Sequence, residues 1–144
     1  MRPTKFEIEA DIREAIRAAL PPETPVQWPN APFTIPDPEE GTLWVRVAIV
    51  YGETERRELG PEGMNLIIGV VILSVFVPTE SGTDALSDMM DNVIAALDST
   101  TTPVGVLFRE AGPDSLGNQV TDSGWYQENM NCPFEVQVFI KEAS

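Results

Sequence analysis

Apolar positions recur along this chain at two spacings, one helical and one of strands. Between Thr4 and Leu20, the residues Phe6, Ile8, Ile12, Ile16, Ala19 and Leu20 fall on one broad stripe of a helix. Thr4 and Glu7 stand at capping-box spacing, so a hydroxyl and a carboxylate satisfy the first free backbone donors. Glu9 and Arg13 form an i,i+4 pair on the opposite side, and Pro21-Pro22 prevents continuation. A second stripe, Leu86, Met89, Met90, Val93, Ile94 and Leu97, predicts another helix, opened by Ser81 and Asp84 at capping-like spacing and closed by Ser99 to Pro103. Asp84, Asp88 and Asp91 share its polar side, as a solvated face does.

Elsewhere the period is two. Leu43, Val45, Val47, Ile49 and Tyr51 alternate with Trp44, Arg46, Ala48 and Val50, which predicts a strand. The run from Asn65 to Val77 is apolar at both parities and would span about 43 Å if unbroken, with Gly69 as a candidate bend or bulge. Val104 to Arg109 reads as a short strand, and Ala111 to Gly124 as a Gly/Asp/Asn-rich loop. Trp125 to Lys141 reads as a last strand, with Phe134, Val136, Val138 and Ile140 on one face and Pro133 bending it or starting it at an edge. A short extended piece, Val26 to Trp28, and an acidic turn, Asp37 to Glu40, lie in the proline-rich segment from Pro21 to Gly41.

This order predicts one α+β domain over residues 1–144, a largely antiparallel sheet with two helices packed on one face. Gly52 to Gly63 carries Glu53, Glu55, Arg56, Arg57, Glu58 and Glu62 between two long β patterns, as the tip of a long projecting hairpin would. Two helices cover only one face of such a sheet. Because the Asn65 to Val77 run is apolar on both sides, the other face calls for another chain to cover it, and an oligomer is the expectation.

Composition narrows the chemistry. Histidine is absent, which removes the commonest general base and zinc ligand. A serine nucleophile would depend on Lys5 or Lys141, both near the termini, and no GxSxG stretch is present. The one cysteine, Cys132, excludes an intrachain disulfide, and its neighbours Asn131 and Phe134 bring no positive charge to activate it. Gly60-Pro61-Glu62-Gly63 is a turn without the lysine of a phosphate loop, and Asp114 to Asp122 lacks the spacing of a calcium loop. The expectation is therefore no enzyme, no cofactor and no metal. A formal charge of −14, from 23 acidic and 9 basic residues, disfavours binding of nucleic acid by phosphate neutralisation. Met1 to Phe6 leads straight into an amphipathic helix without the apolar stretch of a signal peptide, so export is not expected. Trp28, Trp44 and the Trp125-Tyr126 pair are aromatic anchors that suit either a core or an interface.

Several segments in order resemble the tail terminator family of tailed phages, in its siphophage branch similar to the lambda-type terminator. They are Ile12-Arg13 and Ala18 to Leu20 in the first helix, Val26-Gln27-Trp28-Pro29-Asn30-Ala31-Pro32-Phe33, Trp44-Val45-Arg46-Val47, Val75-Phe76-Val77-Pro78 with Gly82-Thr83, the second helix, and Asp122-Ser123-Gly124-Trp125-Tyr126. The resemblance spans nearly the whole chain. It implies a virion subunit that forms a hexameric ring on the last ring of tail tube protein, halts polymerisation and offers its other face to a head-completion protein, with DNA passing through the lumen unbound. On that reading Trp44, Arg46, Arg56, Arg57, Leu59, Trp125 and Tyr126 are the candidate interface residues. Two other readings stand beside it: another head-tail connector or tail-completion protein of similar fold, and a small-ligand-binding or hydrolytic α+β domain.

Overall fold

In the computed structural model the described residues are 3–56, 64–98, 100–120 and 124–139, with side chains described for all of these except 53–56, 64, 114–120 and 138–139. The chain runs α1 (Lys5–Ala19), β1 (Val26–Gln27), β2 (Trp44–Arg56), β3 (Met64–Pro78), α2 (Asp84–Leu97), β4 (Val106–Phe108), β5 (Gly112–Val120) and β6 (Trp125–Phe139). A six-stranded sheet has the order β1-β2-β3-β6-β4, with β5 also paired to β6. Only β1 against β2 is parallel; the other pairings are antiparallel. The predicted α+β layout with two helices on one face is the one observed.

α1 starts at the expected box: the Thr4 hydroxyl accepts from Glu7 N at 3.1 Å and Glu7 Oε1 accepts from Thr4 N at 3.0 Å. It buries Ile8, Ile12 and Ile16, one residue per turn. Phe6 does not join them and is 73% exposed, because residues two apart on a helix point to nearly opposite sides. Glu9 pairs with Lys5 at 3.4 Å, not with Arg13, and accepts from the Tyr51 hydroxyl at 2.7 Å. Arg17 closes the helix by donating to the carbonyls of Thr24 and Pro21, each at 2.9 Å, and of Pro22. α2 begins at Thr83 without a side-chain cap; Ser81, expected to cap it, donates instead to the Pro78 carbonyl at 2.7 Å.

Register decides which side chains meet. On the helix-covered face the rows are Val45–Val75, Val47–Leu73–Met130, Ile49–Val71–Cys132 and Tyr51–Gly69–Phe134. These residues form one core with Ile8, Ile12 and Ile16 of α1, Leu86, Val93 and Leu97 of α2, and Val106 and Phe108 of β4. Cys132 lies inside it with no exposure, and burial pushes its thiol up to about 12. Asp84, Asp88 and Asp91 are exposed on the outer side of α2.

Three expectations about strands need correction. Gly69 is neither a bend nor a bulge, since the β3–β6 register runs unbroken through it. Its missing side chain makes room: a Cβ there would lie 2.6 Å from the Phe134 ring and 2.7 Å from the Val50 carbonyl. The bulge falls opposite, in β2, where Tyr51 pairs Gly69 and Thr54 pairs Ile67, so that Gly52 and Glu53 together face Ile68. Pro133 sits in the middle of β6, opposite Val70. Its carbonyl accepts from Arg109 N at 2.8 Å, and since the N and C=O of a strand residue point to the same side, its missing N–H falls at the junction between β4 and β5 and leaves the β3 ladder intact. The segment expected as a loop from Ala111 to Gly124 contains β5, which continues the line of β4 along β6 with an irregularity between Asp114 and Gln119. Cross-strand pairing there overrides the turn-rich composition.

The tip of the predicted β2–β3 hairpin, 57–63, lies outside the described residues. At the other end β1 covers only Val45 and Arg46 of β2. Among the described residues no further strand pairs with the outer edge of β2.

Candidate interaction surface

Among the described residues the second face of the sheet carries no helix. Parity places on it Trp44, Arg46, Ala48 and Val50 from β2, Ile68, Val70, Ile72, Ser74 and Phe76 from β3, and Gln127, Asn129, Asn131, Pro133 and Glu135 from β6. This surface divides into three zones along the strands.

The first is a separate small core in which Trp44, Phe76 and Trp125 are buried and Phe33 packs on them from the proline-rich segment. Trp44 stacks on Phe76 with centroids 4.0 Å apart and planes 6° off parallel, while Trp125 meets Trp44 edge-on at 5.9 Å and 86°. Phe33 lies 5.3 Å from Trp44. Among the described residues Trp44 Nε1 is buried without an acceptor, a desolvation cost of about 1–3 kcal/mol that the stacking must offset. The exposed Arg46 guanidinium lies over both rings, 5.5 Å from Trp44 and 5.1 Å from Phe76, and its Nε donates to Gln27 at 2.8 Å. The cation is thereby held over an aromatic platform.

The middle zone is polar at β3 and β6, with Ser74, Asn129 and Gln127, whose Nε2 donates to Asn129 at 2.9 Å. The third zone is apolar. Ala48 is exposed, Val50 is 48% exposed, and Ile68, Val70, Ile72 and Pro133 are half-buried beside them. Val50, Gly52, Ile68, Val70 and Pro133 line a concavity of about 430 Å³ whose rim holds the ion pair Arg109–Glu135. An apolar patch with a charged rim on an uncovered sheet face has the composition of a protein contact.

The structure brings together three of the seven candidate residues, Trp44, Arg46 and Trp125, but two of these are buried in the small core, and Arg46 alone is displayed. Tyr126 alternates with Trp125 and so faces the helix side, where it packs on the main core; its hydroxyl pKa is raised by a hydrogen bond to Glu128. Arg56 ends β2, about 30 Å along the strand from Arg46, with its side chain outside the described set, and Arg57 and Leu59 lie outside the described residues altogether. Phe33 and the Val50–Val70–Pro133 group were not singled out from the sequence. The second was legible in the parity shared by Val50, Val70 and Pro133. Phe33 had no such signal, because the segment that carries it has no period.

Among the described residues no three of Asp, Glu or Cys come close enough to hold a metal ion, and no helix is long and apolar enough to cross a membrane.

Fold and surface together define an α+β protein with one sheet face roofed by helices and the other, among the described residues, covered only at its aromatic end. The model of the phage tail terminator protein family matches residues 7–127, and the chain belongs to that family. Membership makes it a structural component of the bacteriophage tail. Fifteen chains of solved structures match it; one of them superposes with a TM-score of 0.70 at 18% identity, covering 96% of this chain and 99% of that chain, and shares its fold. None of the curated proteins matches in sequence.

Proposed function

We propose that this chain is the terminator of a siphophage tail: it closes as a hexameric ring on the last ring of tail tube protein, stops tube growth and presents its far side to a head-completion protein. The observation that carries this reading is the open apolar sheet face in a chain of the tail terminator family. Its own helices cover one face only, so burial on the other must come from neighbours, and a heterologous contact that closes by rotation gives a ring. Seven residues are the contacts this reading starts from: Trp44, Arg46, Arg56, Arg57, Leu59, Trp125 and Tyr126, of which Arg46 is the displayed cation. The formal charge of −14 suits a lumen through which DNA moves without sticking, since like charges repel at short range.

Loss of the gene tests the role. The expected result is tubes of uncontrolled, excessive length with heads unattached. Tubes of normal length with only the head missing would assign the chain to another step of tail completion.

A further inference from the structure

Phe6 and the concavity beside Val50 are opposite features at one end of the molecule. Phe6 projects from the first turn of α1, 73% exposed, on the helix side of the sheet. The concavity of about 430 Å³ opens on the helix-free side. They lie on opposite sides of the sheet, and a subunit's own Phe6 is not among the residues that line its concavity. A second copy can supply one.

The charges around the two features are complementary. Phe6 is flanked by Lys5 and Glu7, and Lys5 is a surface cation, 75% exposed, paired with Glu9 at 3.4 Å and lying 5.9 Å from the Tyr51 ring. The concavity is flanked by Arg109, 60% exposed, and Glu135. Each feature thus has one cation and one anion beside an apolar centre; Glu135 is only 14% exposed and stays paired with Arg109, and Glu7 keeps its cap bond through Oε1, so the new contacts add to these pairs at their exposed sides. The floor is open because Gly52 has no side chain: a Cβ there would come within 3.2 Å of Ile68.

We propose that Phe6 of one subunit inserts into the Val50–Gly52–Ile68–Val70–Pro133 concavity of the next, with Lys5 facing Glu135 and Glu7 facing Arg109. The inference rests on the ring reading above and names the contact that makes it. Knob and hole lie on opposite sides of the sheet, so the contact is head-to-tail and passes from copy to copy, as a closed ring requires.

The test uses the full chain, alone over a concentration series and with tail tubes of the same phage. The double variant F6C/V50C, oxidised on the tubes, is expected to give a ladder of covalent oligomers ending at the ring. Each single variant is expected to give none beyond a dimer, because the native Cys132 thiol is buried. Phe6→Ala is expected to weaken ring assembly at least tenfold while leaving thermal unfolding of the subunit unchanged, since the side chain is exposed. If the wild type forms rings and F6A forms them equally well, or the double variant does not cross-link within those rings, this contact is wrong and the ring stands. If the wild type forms no ring on tubes, both fail.

Discussion

Gly69 is the residue on which the centre of the sheet depends. Tyr51 and Phe134 meet edge-on across it at 6.0 Å and 87°, filling the space that a side chain at that position would take. Gly69→Ala is expected to destabilise the fold by about 1–3 kcal/mol through overpacking, measured by denaturant unfolding. Shrinking the ring in F134L should relieve only part of this, because the Val50 carbonyl is 2.7 Å from the same Cβ position. A G69A/F134L protein as stable as F134L alone would show that the backbone gives way more easily than argued. Tyr51 adds a link to the helix layer through Glu9, and burial with the nearby carboxylate raises its hydroxyl pKa.

At the scale of elements, helices and strands differ in how much of them the sequence displayed. α1 was legible to its cap, because Thr4 and Glu7 act locally on the backbone that they terminate. The start of α2 was misread: Ser81 and Asp84 have the right spacing, but Ser81 is drawn to Pro78 and Thr83 occupies the cap position without a side-chain bond. The two helix starts therefore predict different mutational costs. Thr4→Ala should lose about 1 kcal/mol of stability and Thr83→Ala only a few tenths, by thermal or denaturant unfolding; equal losses would contradict the cap assignment. Among strands, β2 was plain from its alternation and β3 from an unbroken run rich in β-branched residues, whereas β5 was hidden under glycine and asparagine because its order comes from pairing with β6 and not from its own residues. Pro133 misled for the same reason: whether a proline ends a strand depends on which neighbour its missing N–H would have faced. The open face followed the same rule, since parity placed its β2 and β3 residues while Phe33 came from an aperiodic segment.

The whole molecule is a two-core object. The main core joins both helices to one sheet face, and the aromatic group of Trp44, Phe76 and Trp125 pins the proline-rich segment to the other. That division explains why the tryptophans, natural candidates for contact from sequence alone, are spent on folding, while the residues displayed on the second face are plain aliphatics and one stacked arginine. Sequence composition marks aromatic anchors; it does not say which are already occupied.

Among the described residues the outer edge of β2 is covered by β1 only at Val45 and Arg46, and a bare edge is a template on which stray strands nucleate. A protein that accumulates free must therefore be guarded, and its formal charge of −14 is a suitable guard. Near pH 4, where carboxylates take up protons, that guard lapses. Fibres with the cross-strand spacing of about 4.7 Å are then the expected product, read by dye binding and diffraction, and V50K, which places a cation on the edge strand, should suppress them. A protein that stays dispersed at pH 4, or precipitates without order, would mean that the edge is shielded by something other than charge.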